Sequence, residues 1–278
     1  MKEESIPPIK AFQYVDCRRK CSVCRVGASN SKSKPTFIYD DYKKNIPNSL
    51  LNNLDYTLNN SNNVRNRPNK KIKIGYSTSE DAVSWIFINY FIQNKRLDIL
   101  KEIINCKSNI VEIIMWGVPQ IDRLYDSPLK DICIKLGENE ESFSEPDIIV
   151  ICDEEIDFIE VKVKAKNDRE NPKKKDFDKY LNHDFFIDKE LAKKSEYYEL
   201  IRNWTIAHLF SKDKTVKLIN LAPMKLFETE KDLYYQSFLS SIRMKETFIQ
   251  LSWEDVISAM EYNSIDSEFV NEIKKRIG

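Results

Sequence analysis

The sequence predicts an α/β fold, a central mixed β-sheet flanked by helices, in the order helix, strand, strand, strand, helix, strand. Three observations carry that reading. The run Ile148-Ile149-Val150-Ile151-Cys152 is short, uninterrupted and β-branched, as a strand buried on both faces requires. The acidic turn Asp153-Glu154-Glu155 follows, then Phe158 to Ala165, which reads as its hairpin partner. Apolar residues at helical spacing lie on either side: Val83, Ile86, Phe87, Tyr90 and Phe91 before, and Tyr198, Ile201, Trp204 and His208 after.

In chain order, residues 1–27 form a short segment containing Cys17, Cys21 and Cys24. Residues 28–71 are rich in Asn, Ser, Lys and Pro, notably Asn59-Asn60-Ser61-Asn62-Asn63. Asn and Ser compete with backbone pairing, so this stretch is expected to be a polar connector with one short helix near Leu50. The organised domain is expected over 72–278. A helix runs from about Ser79 into the 90s and continues as Leu97 to Ile104. Val111 to Trp116 is a strand stopped by Gly117 and Pro119. After the hairpin come a helix over Ser195 to Ser211 and a strand over Val216 to Leu221. The tail adds a helix from Lys231 to Arg243, a strand from Phe248 to Leu251 and helices beginning at Trp253.

Composition narrows the class. Hydrophobic residues make up 41% of 278, enough for a large core. The 44 basic and 44 acidic side chains cancel, which argues against binding by bulk charge but leaves local basic patches free to meet nucleic acid. No apolar run approaches the roughly 18 residues that cross a bilayer. Met1 to Lys10 lacks the apolar stretch of a signal peptide, so a cytoplasmic protein without a membrane partner is expected. In a reducing compartment, crowded Cys17, Cys21 and Cys24 suggest metal or free thiols rather than disulfides. Structural zinc wants four ligands, and the remaining candidates, Cys106, Cys133 and His183, are distant in sequence. Zinc, an iron–sulfur cluster and unligated thiols all stay open.

The chemistry gathers in Glu145-Pro146-Asp147 and Glu160-Val161-Lys162. Alternate strand residues share a face, so Glu160 and Lys162 point the same way, roughly 6–7 Å apart, with Ile159, Val161 and Val163 turned to the core. Asp147 heads the partner strand, and hairpin geometry can bring it beside Glu160. Adjacent carboxylates repel unless a cation intervenes. Mg²⁺ or Mn²⁺ suits such hard oxygen ligands, with the Val161 carbonyl as a further donor. The ordinary alternative is a half-exposed strand with alternating charges. Glu80 projects towards the buried stripe of its helix, an unusual place for a carboxylate without a partner. Its ordinary alternative is a capping box with Ser77. Tyr198 and Arg202 lie one turn apart and could face the site, whereas His208 reads as a core histidine. Two basic groups flank the region: Lys162, Lys164, Lys166, Arg169 and Lys173 to Lys175, and Arg65, Arg67, Lys70, Lys71 and Lys73. Each could follow a phosphate backbone or simply be solvated.

Pro146-Asp147 with Glu160-Val161-Lys162 resembles the signature of the PD-(D/E)XK nucleases, and the αβββαβ order resembles their restriction-endonuclease-like core over residues 79–221. Tyr197 to Trp204 is also similar to the helix that follows the catalytic hairpin. The resemblance implies a Mg²⁺-dependent DNA-cleaving enzyme, an endonuclease of restriction or phage-defence type, with Glu80, Asp147, Glu160 and Lys162 catalytic. Asp147, Glu160, Glu80 and the Val161 carbonyl would hold the metal. RNA would be cut by the same residues, and cutting both strands favours a homodimer. Some family members hold an iron–sulfur cluster with cysteines on both sides of the core; this chain has none after Cys152. The rival reading is a non-catalytic nucleic-acid- or protein-binding module on the same scaffold.

Overall fold

A computed structural model describes residues 11–31, 35–211, 213–229 and 233–278. Met1 to Lys10 and the first residues of the helix expected from Lys231 lie outside them. Near the N-terminus, β1 (Arg19–Lys20), β2 (Val26–Ala28) and β3 (Phe37–Tyr39) form a small antiparallel sheet. The main sheet is mixed and six-stranded, built from β4 (Ile110–Met115), β5 (Val118–Pro119), β6 (Ile148–Cys152), β7 (Glu155–Val161), β8 (Thr215–Ala222) and β9 (Phe248–Ser252). Their spatial order is β5-β4-β6-β7-β8-β9. The β4, β6 and β7 strands pair antiparallel, and β7, β8 and β9 pair parallel. A parallel step needs a crossover, and a long helix supplies it between β7 and β8.

The helices are α1 (Leu54–Asn60), α2 (Arg67–Ile74), α3 (Glu80–Gln93), α4 (Leu97–Ile103), α5 (Leu129–Lys135) and α6 (Asp178–Leu181). They continue with α7 (Lys189–Lys194), α8 (Tyr198–Ser211), α9 (Met224–Thr229), α10 (Leu233–Ser241), α11 (Trp253–Tyr262) and α12 (Ser267–Ile277). None is long and apolar enough to cross a membrane. The period of two along each strand divides the core. Ile148, Val150, Ile159 and Val161 pack on one side with α3, α4, α11 and α12. Ile149, Ile151 and Phe158 pack on the other with α5, α8 and α10.

Several elements differ from their sequence expectation. Residues 28–71, read as a polar connector, contain α1 and α2 and send Ile46, Leu50, Leu54 and Leu58 into the first core. Those four residues are four apart, a helical interval spread over separate short pieces, which hides the pattern. β4 ends before Gly117, as expected, but Pro119, read as a stop, belongs to a strand that turns back. Trp116 (φ 51°) and Gly117 (φ 85°) both have positive φ, as a two-residue hairpin turn requires, and β5 returns along β4. A Cβ on Gly117 would overlap the Asn62 side chain, so both the φ and the packing call for glycine. β7 ends at Val161 rather than Ala165, and α6 and α7 come after the charged stretch that follows it.

Candidate active site

The last pair between β6 and β7 is Ile148 with Ile159, and beyond it the strands part. There a carboxylate takes the place of a main-chain partner: Asp147 Oδ2 accepts from the Val161 amide at 2.9 Å. Two residues further on, Glu80 Oε1 accepts from the Val163 amide at 3.1 Å. Ser77 plays no capping role for Glu80. Ser79 caps α3, its Oγ accepting from the Ala82 amide at 3.1 Å, while Ser77 Oγ accepts from Phe37. The capping-box alternative therefore fails, and Glu80 reaches across to the end of β7.

Val161 and Val163 point into the first core, which turns Glu160 and Lys162 to the opposite face, towards α8. Lys162 Nζ donates to Glu160 Oε1 at 2.6 Å and to Glu199 Oε2 at 2.9 Å. Asn203 Nδ2 donates to Glu160 Oε2 at 2.9 Å. The backbone here is fixed from both sides. The Lys162 amide donates to the Leu221 carbonyl at 2.8 Å, and the Trp253 indole donates to the Lys162 carbonyl at 3.0 Å. Glu80, Asp147, Glu160 and Lys162 all line one cleft of about 1370 Å³, with Asp81, Lys164 and Glu199.

The charges are strongly coupled. Desolvation raises Asp147 to about 7 and Glu160 to about 8, in each case against the pull of Lys162. Glu80 is raised by desolvation as well. Desolvation also opposes ionisation of Glu199, but Lys162 and Arg202 hold it down to about 2. Burial disfavours the Lys162 ammonium, yet Glu160, Glu199, Glu80 and Asp147 together keep it charged. One cation thus answers several carboxyls. Among the described residues, the carboxylate oxygens of Glu80, Asp147 and Glu160 do not all lie within 4.8 Å of one another.

This arrangement gives stability a definite pH dependence. The folded protein binds protons at Asp147 and Glu160 that the unfolded chain, with carboxyl values near 4, releases. Stability without added metal is therefore expected to fall as pH rises from about 5 to about 8, by up to about 1.4 kcal/mol per pH unit for each carboxyl still protonated. Denaturant unfolding at several pH values measures the slope. Asp147→Asn should lessen it, with Glu160 and the buried Asp157 keeping the rest, and an equally steep slope in that variant would remove Asp147 from the account.

A second constellation lies beside the first. Lys70 Nζ, buried on α2, sits 3.1 Å from Asp81, 3.2 Å from Glu145 and 4.5 Å from the Trp116 ring centroid. Glu145 Oε1 also accepts from the Asn63 amide at 2.5 Å. Most of the basic group before the core is thus paired within the protein, though only Lys70 is buried. Arg65 pairs with Glu141 at 3.0 Å, Arg67 donates to the Ser61 carbonyl at 3.0 and 2.7 Å, and Lys71 donates to Asn59 at 2.7 Å. Lys73 alone of that group lines the large cleft. From the second basic group, Lys164 lines the same cleft and Lys175 lines a neighbouring one of about 600 Å³, which also contains Tyr198 and Arg202.

The remaining candidates lie elsewhere. His208 stacks on Phe185 at 4.8 Å, and burial lowers it to about 4, as suits a core histidine. Cys17 is buried against Gly27, while Cys21 and Cys24 are exposed, and the described residues bring no three of these thiols and their distant partners together. His183 stacks on Phe185. Glu199 and Asn203 are members of the site that the sequence reading did not single out, and Lys70 and Glu145 appeared there only within a basic group and the Glu145-Pro146-Asp147 run. For the first two a signal existed: Glu199, Arg202 and Asn203 form an i, i+3, i+4 polar set on an otherwise apolar helix. No family model, curated protein or solved structure matches the chain. Geometry and chemistry alone carry the functional reading.

Proposed function

We propose that this chain is a metal-dependent nuclease of the PD-(D/E)XK type that hydrolyses DNA phosphodiester bonds as an endonuclease. The observation that carries the reading is the arrangement of Glu80, Asp147 and Glu160 around Lys162 where β6 and β7 part, within a large cleft. The order α3, β4, β6, β7, α8, β8 is consistent with a restriction-endonuclease-like core. A restriction or phage-defence role, acting as a homodimer when both strands are cut, follows by analogy with that type.

The donor set fits Mg²⁺ or Mn²⁺. It consists of hard oxygens, on carboxyls that burial pushes up and that a divalent ion would favour in the charged form. Lys162 and Asn203 each engage one oxygen of Glu160, and a carboxylate oxygen accepts more than one bond. Asp147 and Glu160 would hold the ion, with Glu80 and the Val161 carbonyl assisting. When bound, the metal would supply a water of lowered pKa and offset charge on the phosphate. Lys162 would steady the attacking hydroxide and the charge developing on phosphorus. Glu199 and Asn203 orient Lys162 and Glu160, and Lys164 and Lys73 at the cleft can meet the phosphate backbone.

One observation favours a second reading, a binding module without chemistry: Lys162 already neutralises Glu160 and Glu199, and the carboxylates stand apart. A single panel separates the readings. Plasmid, linear and single-stranded DNA and RNA are incubated with Mg²⁺ or Mn²⁺, with Glu160→Ala as control. Metal-dependent DNA cleavage lost in the variant is expected. Intact substrates that the protein nevertheless binds would establish the module, and cleavage of RNA alone would change the substrate.

A further inference from the structure

The opposite end of β7 carries a cluster that the nuclease reading does not use. Cys106, just after α4, and Glu155 and Asp157 on β7 are buried, and their ligand atoms all lie within 4.8 Å of one another. Among the described residues, no other group of three His, Cys, Asp or Glu is gathered so closely. Asp157 is fully buried and neither of its oxygens has a hydrogen-bond partner. A buried carboxylate left so is costly, and its nearest cation, Lys217 Nζ, stands at 3.8 Å. Lys217 is instead engaged by Glu155 at 2.6 Å and by the Asn105 carbonyl at 2.8 Å. Cys152, the last residue of β6, neighbours the Cys106 thiol and lies on the same face of the sheet.

We infer that Cys106, Asp157 and Glu155, with Cys152 as the fourth ligand, form a structural zinc site. Two sulfurs and two carboxylate oxygens are a donor set that Zn²⁺ accepts, and a buried site with four protein ligands is closed to catalysis. Zn–S and Zn–O bonds of about 2.3 and 2.0 Å place tetrahedral ligand atoms about 3.3–3.8 Å apart, so Cys106, Glu155 and Asp157 need only small side-chain rotations, while Cys152 turns in from further away to complete the set. Both thiols lose their protons to solvent on binding, and Lys217 remains on Glu155 as a counter-charge. The ion would tie the segment after α4 to the β6–β7 turn. That turn already donates to the segment, the Glu154 amide to Ser108 Oγ at 3.1 Å and the Asp153 amide to the Asn109 carbonyl at 3.1 Å.

The test is metal analysis of the full chain purified without chelator, followed by Co²⁺ replacement. About one equivalent of zinc per chain is expected, with a thiolate-to-cobalt charge-transfer band and the strong visible bands of tetrahedral Co²⁺. Cys106→Ser and Asp157→Asn should each reduce bound zinc by roughly tenfold or more. Because either variant could fold poorly, the wild-type cobalt spectrum is itself decisive. Absence of the thiolate band, or its persistence in both variants, would overturn the site. So would a band lost in Cys21→Ser/Cys24→Ser and kept in Cys106→Ser, which would assign the metal to the N-terminal cysteines. Glu160→Gln should leave this zinc in place even if the chain cuts no nucleic acid, so the two proposals fail separately.

Discussion

Lys162→Met is expected to lower metal-dependent DNA cleavage by about 10²–10³-fold while leaving Mn²⁺ binding intact or tighter. The two halves of that result have one cause. In the metal-free protein the Lys162 ammonium is the counter-charge of Glu160, at 2.6 Å, and of Glu199, at 2.9 Å. Removing it leaves carboxylates that a divalent ion can neutralise in its place, so metal uptake gains what the lysine gave up. Cleavage needs the ammonium for a different purpose, to stabilise charge that appears only as the phosphate is attacked, and no carboxylate-bound ion replaces it there. Single-turnover cleavage and Mn²⁺ calorimetry on the same preparation read the two quantities. A variant that cleaves like the wild type would reduce Lys162 to a structural counter-ion. A variant that loses both cleavage and Mn²⁺ binding would mean that Lys162 holds the carboxylates in place rather than acting on substrate. Lys162→Arg restores the charge but not the compact ammonium and is expected to recover little activity.

The hairpin of this site was legible in sequence because strand geometry is local. The alternation Ile159, Glu160, Val161, Lys162, Val163 allows a single assignment of faces, and the structure has that assignment. Asp147 was legible for the same reason, as the residue heading the partner strand. Glu80 was recognisable only as a carboxylate pointing the wrong way. Its partner, the Val163 amide, is 83 residues away and follows no spacing rule. Glu199 and Asn203 lay in view as polar positions on an apolar helix, but their partners depend on how α8 crosses the sheet. Residues 28–71 misled for another reason. Asn and Ser runs mark turns correctly, yet between them single apolar residues such as Leu54 and Leu58 reach the core, and turn chemistry says nothing about where the turns are packed. The basic group Arg65 to Lys73 looked like a phosphate-binding arm because charge in sequence does not reveal its partner. In the fold most of it is bound to the protein's own acceptors.

Lys70 shows how much rests on one of those internal cations. It is buried between Asp81 and Glu145, under the face of Trp116, and it lies close enough to Asp147 to favour that carboxylate's charged form. Trp116 stacks in turn on Trp85, with ring centroids 5.8 Å apart, so the ammonium also closes one side of the first core. Lys70→Met keeps much of the volume and removes the charge. It leaves two carboxylates facing each other with reduced solvation, and breaking such a buried pair costs about 3–5 kcal/mol. For a chain of this size that is a fall in Tm on the order of 10 °C, read by calorimetry near neutral pH. Asp81→Asn together with Lys70→Met should recover part of the loss, because one of the stranded charges is gone, and a double-mutant cycle measures the coupling. A Lys70→Met protein as stable as the wild type would show that water already reaches Asp81 and Glu145. The charge balance behind the active-site cleft would then be set by solvent rather than by the fold.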